Sequence, residues 1–239
     1  VRARSLLVAA LVVAGCSAPE RTPRDEATPR VEGAPPEAAP RDEGAPPEAA
    51  PPPRAPEPIA AARMKAPHVA FPDVQGRLVQ LDDLYRDGPL VIVLTSLRCP
   101  ISRLYAPGLA ELAARHAAAG VRVLIVEIAG ASRDDLLAAA QRHAWVDPIV
   151  VAQDAPPSSV GQCFFPERTT ECFVVDRQGD LRYRGAIDDQ YGQGYRRPAP
   201  KSRYLEDALA AVLAGQPVAV PATSAPGCAL ARAPTPQDE

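Results

Sequence analysis

The chain has 239 residues, 29 of them proline, and its 26 basic and 29 acidic side chains leave a formal net charge of −3. That balance carries no electrostatic footprint for nucleic acid, so no nucleic-acid partner is expected. The three histidines (His68, His116, His143) and five cysteines show no metal-ligand spacing, and neither a metal nor another cofactor is expected.

Residues 1–15 read as a signal peptide. Arg2 and Arg4 form a basic start, and the apolar run 6–13 is too short to span a bilayer. It ends in Val13-Ala14-Gly15-Cys16, which resembles the lipobox of bacterial lipoproteins. The resemblance implies cleavage before Cys16, lipidation of that cysteine and export to the periplasmic side of the cell envelope, held to the membrane by the lipid. Each buried methylene contributes about 0.8 kcal/mol, so several acyl chains anchor stably. Ser17 after the cysteine is compatible with an outer-membrane destination.

Residues 16–63 carry the lipidated cysteine and a disordered tether. Proline, alanine and glutamate dominate, and large apolar side chains that could offset the entropy of folding are nearly absent. The unit EGAPPEAAPRD from Glu32 returns as EGAPPEAAPPP from Glu43, a low-complexity spacer. In polyproline II such a chain reaches roughly 100 Å.

One domain, 64–215, and a tail, 216–239, remain. Phe71-Pro72-Asp73, a turn at Gly76 and a strand with Leu78, Val79 and Leu81 predict an N-terminal hairpin. Asp82-Asp83-Leu84 starts a helical turn. The apolar run 90–94 predicts a strand buried on both faces. A helix follows from Pro100, with Leu104, Leu109, Leu112 and Ala113 on one face, and Gly120 ends it. A strand over 121–128 completes a right-handed parallel βαβ unit. Ser132 caps a helix running to about His143, with Asp134 and Asp135 in its first turn. Short strands are expected at 149–152 and 171–176. The turn Arg177-Gln178-Gly179-Asp180 returns an antiparallel strand over 181–187, and a last helix spans 202–214, closed by Gly215.

The chemistry centres on Cys99, at the tip of a strand and the start of a helix. Orphan amides and the helix dipole favour the thiolate there, and Arg98 and Arg103 are expected to add positive charge. A depressed thiol pKa makes a nucleophile at neutral pH.

Cys99-Pro100-Ile101-Ser102, with Pro107 eight residues after the cysteine, resembles the C-x-x-C helix start of thioredoxin-fold proteins, but Ser102 stands in for the second cysteine. Ser96, three residues before Cys99, matches the hydroxyl of the peroxiredoxin motif P-x-x-x-T-x-x-C, with Ile92 in place of its proline. The chain therefore resembles the redoxin group, the branch of alkyl hydroperoxide reductase and thiol-specific antioxidant. The resemblance implies a thioredoxin-like α/β fold, a central mixed β-sheet flanked by helices with an N-terminal β-hairpin extension. It also implies that 154–161 forms a turn and short helix. Thr170 occupies the place of the thioredoxin cis-proline, and a trans peptide is expected there. Arg168 is a candidate for steadying the thiolate or a peroxide oxygen, as an arginine does in peroxiredoxins. Copper chaperones of the Sco type need C-x-x-x-C, and Arg103 fills its second position.

Past Cys16 stand Cys99, Cys163, Cys172 and Cys228, an even set in an exported domain. Cys163 and Cys172 flank a loop and read either as a structural disulfide or as two buried thiols. The layout C-P-I-S…Y-R-G-A-I-D-D…G-C resembles exported redoxin-like proteins. It implies that Cys228, in a flexible tail, is the resolving thiol for Cys99. The loop 183–195, rich in glycine and aromatics with Asp188 and Asp189, reads as a substrate or partner surface. Three functions stay open: a peroxidase using Cys99 and Cys228, a thiol-disulfide oxidoreductase acting on exported proteins or in cytochrome assembly, and a non-catalytic partner-binding module. The expected partners are a peroxide or a protein disulfide or thiol, and an unidentified reductant.

Overall fold

The computed structural model describes residues 64–154 and 161–230, so the signal segment, Cys16, the tether and most of the 154–161 turn lie outside the described residues. Five strands form the central sheet, in the order β5-β4-β3-β6-β7. Strand β3 (Leu90–Thr95) is buried at every position. Both faces are covered, and burying each Val, Leu or Ile side chain is worth about 1.5–3 kcal/mol. It runs parallel to β4 (Arg122–Glu127), pairing Leu90 with Arg122 and Thr95 with Glu127. Strand β5 (Ile149–Gln153) lies parallel on the outer side of β4. On the other side β6 (Cys172–Val175) is antiparallel to β3, with Val93 opposite Cys172, and β7 (Leu181–Gly185) is antiparallel to β6.

Alternation along the strands divides the core in two. Val91, Val93, Val123, Ile125, Cys172 and Val174 face one layer of helices. That layer contains α2 (Pro100–Tyr105), α3 (Gly108–His116), α4 (Arg133–Arg142) and α5 (Tyr204–Leu213). On the opposite face Ile92, Leu94, Leu124 and Phe173 pack with Phe71, Phe164 and α1 (Leu81–Tyr85). The N-terminal hairpin, β1 (Ala70–Pro72) and β2 (Leu78–Gln80), turns at Gly76, whose φ is +87°. Buried Asp73 builds this turn by accepting the amides of Gln75 and Arg77, each at 2.9 Å. Leu81, expected in the hairpin strand, opens α1 instead.

The helix expected after Cys99 is broken. Pro107 has no N–H to give, and α2 stops at Tyr105 before α3 starts at Gly108. The Trp145 indole donates to the Ala106 carbonyl at this break, 3.1 Å away. Ser132 caps α4 as expected, its Oγ accepting the Asp135 amide at 3.1 Å. Between β7 and α5 a small hairpin, β8 (Tyr191–Gly192) and β9 (Tyr195–Arg196), leans on α2. Among the described residues, no helix is long and apolar enough to cross a membrane.

Candidate active site

Cys99 is the residue before α2, with extended φ and ψ of −79° and 121°. Its amide donates to the Ser96 carbonyl at 3.1 Å and its carbonyl accepts Arg103 N–H at 3.1 Å, so the turn is fixed on both sides. The cysteine is 2% exposed. Three elements converge on it: the end of β3, the loop that leads into β6, and the C-terminal tail.

Because β6 is antiparallel to β3, the loop ending at Glu171 arrives beside the tip of β3, where Leu94 N–H donates to the Glu171 carbonyl at 3.0 Å. The Glu171 carboxylate is buried, pairs with Arg184 and accepts the Glu167 amide at 2.8 Å, which holds the loop in shape. Ser102 ties this loop to the strand. Its Oγ accepts Ser96 N–H at 3.3 Å and donates to the Thr169 carbonyl at 3.2 Å. The position of a second cysteine is thus a buried hydrogen-bond brace.

The tail supplies the other thiol. Cys228 Sγ donates to Cys99 Sγ at 3.0 Å. Although its composition reads as flexible, the tail is bound to the fold over much of its length. Arg184 N–H donates to the Pro221 carbonyl and Thr223 N–H to the Arg184 carbonyl, both at 3.0 Å. Thr223 Oγ1 accepts the Ala186 amide at 2.9 Å and meets the buried Tyr183 hydroxyl at 2.7 Å. Further on, Thr169 N–H donates to the Cys228 carbonyl and Cys228 N–H to Thr169 Oγ1, both at 3.1 Å. Leu230 N–H reaches the Glu167 carbonyl at 3.0 Å. Gly227 is buried with φ +124°, and a Cβ there would stand 2.7 Å from Thr170 Oγ1. Glycine is therefore required for this approach.

Burial pushes the Cys99 thiol up. Hydrogen bonds from the Cys228 thiol, the Thr169 hydroxyl and the amides of Ser102 and Cys228 outweigh it, bringing the thiol from 9.0 down to about 6. The same contact, in which Cys228 gives its proton toward Cys99, raises Cys228, with burial adding to the rise. One sulfur is a thiolate at neutral pH and its neighbour keeps its proton.

Several sequence expectations are redistributed by this geometry. Arg98 and Arg103, expected to stabilise the thiolate, are not among the groups that lower it; both are exposed and line a cavity that Cys99 does not line. Ser96 Oγ accepts the Arg98 amide at 3.2 Å and shapes the turn. Arg168 points to the tail, Nη1 donating to the Gly227 carbonyl at 3.4 Å, and its charge acts on Cys228. The Thr170 hydroxyl donates to the Pro226 carbonyl, and its peptide bond is trans. Cys172 is fully buried among the helix-side residues, its Sγ donating to the Gly185 carbonyl at 3.3 Å, while Cys163 packs against the opposite core. The sheet separates them, and the structural-disulfide reading of Cys163 and Cys172 is corrected. Asp188 and Asp189 order their loop. Asp188 Oδ1 accepts Tyr105 O–H at 2.7 Å and Gln190 N–H at 2.8 Å, and Asp189 Oδ1 accepts the amides of Lys201 and Ser202. The residue that sequence reasoning missed is Thr169; its only signal was a position next to Thr170.

A βαβ unit, an antiparallel hairpin and a cysteine at the strand-to-helix turn define a thioredoxin-like fold with a redox-cysteine site. The AhpC/TSA family matches residues 62–184, and the chain belongs to it. It is a thiol-dependent oxidoreductase. The matched segment holds Cys99 and Thr169 and ends before the tail, so Cys228 lies outside it. No curated protein matches the sequence. Among solved structures, the chain is similar to a hypothetical protein from Sinorhizobium meliloti 1021, with 25% identity, a TM-score of 0.62 and coverage of 72% of this chain and 95% of that one. It is also similar to an uncharacterized conserved protein from Geobacillus kaustophilus, with 23% identity, a TM-score of 0.62, and 72% and 93% coverage. A protein from Chlorobium tepidum named for the thiol:disulfide interchange protein DsbE shares 22% identity at a TM-score of 0.50, over 63% of this chain and 96% of that one.

Proposed function

We propose that this protein is a two-cysteine thiol peroxidase anchored to the cell envelope. The observation that carries the reading is the pair of unlike thiols, Cys99 held at about 6 and Cys228 protonated 3.0 Å away. The Cys99 thiolate attacks one peroxide oxygen, the O–O bond breaks, and the leaving alkoxide or hydroxide takes up a proton. Cys99 is then a sulfenic acid. The Cys228 sulfur displaces its hydroxyl as water, and a Cys99–Cys228 disulfide forms. Two electrons from an external thiol or dithiol restore both cysteines. Cys99 is buried and Cys228 exposed, which suits a small oxidant at Cys99.

A specific observation also favours thiol-disulfide exchange with exported proteins. The exposed Cys228 is the sulfur a bulky partner meets first, and a mixed disulfide there would be resolved by the adjacent Cys99 thiolate. Peroxide consumption by the reduced protein separates the two readings. Membrane attachment through Cys16 is part of the proposal; incorporation of labelled palmitate, lost in Cys16→Ala, tests it.

A further inference from the structure

Between α2 and α4, at the carboxyl end of β3, lies a cavity of about 470 Å³. Its size suits a small organic molecule. Ser96 and Ser102 line it, while Cys99 and Cys228 do not. Arg98 and Arg103 line one side and Arg142 and His143 the other. The arginines set it apart. Most described arginines have an ion pair, a carbonyl or an aromatic ring as partner. Among the described residues Arg98, Arg103 and Arg142 have none, and Arg177, far along the chain, is the other such case. One carboxylate, Asp135, lines the cavity, and it already accepts the Ser132 hydroxyl at 2.7 Å. Arg98, Arg103 and Arg142 are all exposed, so three guanidinium groups free of protein partners border one concavity, and their planar donors match carboxylate oxygens.

We propose that this cavity binds a small organic anion bearing two or more carboxylates.

One measurement on the full chain tests this. Calorimetric titration with tricarballylate, a redox-inert tricarboxylate, should show one site that weakens at least tenfold in Arg103→Gln/Arg142→Gln and with added salt. Arg177→Gln, the unpaired arginine outside the cavity, should bind as the wild type does, which controls for charge alone. Absence of binding, or equal binding by the double variant, overturns the site, whether or not the protein reduces peroxides.

Discussion

Cys228 Sγ lies 3.0 Å from Cys99 Sγ, although 129 residues separate the two. Backbone hydrogen bonds create this proximity. Thr169 and Cys228 exchange bonds through N–H, carbonyl and hydroxyl groups, and Thr169 in turn is held to the strand tip through Ser102. The second thiol is therefore delivered in register, and the entropy of closing the loop has already been met by folding.

Thr169→Val removes the hydroxyl that donates to the Cys99 thiolate and accepts from Cys228 N–H. A hydrogen bond to a charged group contributes about 1.5–3 kcal/mol, so the Cys99 midpoint should rise by roughly one unit or more. Thiolate absorbance against pH reads it directly. An unchanged midpoint near 6 would remove Thr169 from the site.

The low Cys99 value also fixes a pH dependence. Its folded value, about 6, lies below the ordinary 9.0, so the thiolate stabilises the reduced fold. That contribution is complete above about 9 and is lost as pH falls through about 6. Cys228 is shifted upward and keeps its proton over most of this window. The unfolding free energy of the reduced wild type should therefore gain on that of Cys99→Ser between pH 5 and pH 9. A constant gap would contradict the assignment.

Gly227→Ala tests the tail. The added methyl meets the Thr170 hydroxyl, in a backbone conformation that side chains rarely adopt. The strap should lift, amide exchange over 218–230 should speed up, and disulfide formation after oxidation of Cys99 should slow at least tenfold. The sheet should stay folded. Wild-type kinetics in this variant would mean that the strap does not set the encounter of the two sulfurs.

Tyr183→Phe deletes a buried hydroxyl that donates to the Ala186 carbonyl at 2.6 Å and meets Thr223 Oγ1. Leaving those buried partners unmet should cost about 1–3 kcal/mol. Urea unfolding of the full chain should show a lower midpoint with an unchanged slope.

How much of this was legible in the sequence depends on the range of the interactions. The all-apolar β3, the Cys-Pro helix start and the Ser132 cap are local, and each appears where its residues suggest. The role of Thr169 exists only because Val93 pairs with Cys172, a register that no local pattern encodes. The tail misleads for a related reason. Proline, alanine and glycine read as coil, and its order comes from backbone bonds to Arg184 and to residues 167–169. Ser102 was visible as a missing cysteine but not as a brace. Cys163 and Cys172 are close in sequence, yet the faces of the sheet divide them. Arg98 and Arg103 neighbour Cys99 along the chain, while in the fold their side chains line a cavity that Cys99 does not line.

The measurement that bears most directly on the account is stopped-flow oxidation of the reduced protein by hydrogen peroxide, beside Cys99→Ser and Cys228→Ser. The wild type should consume peroxide far faster than a free thiol and end as a Cys99–Cys228 disulfide. Cys228→Ser should stop at a sulfenic acid that a dimedone probe traps, and Cys99→Ser should be inert. A wild-type rate no better than that of a free thiol would contradict the peroxidase reading and leave exchange with exported protein thiols in its place.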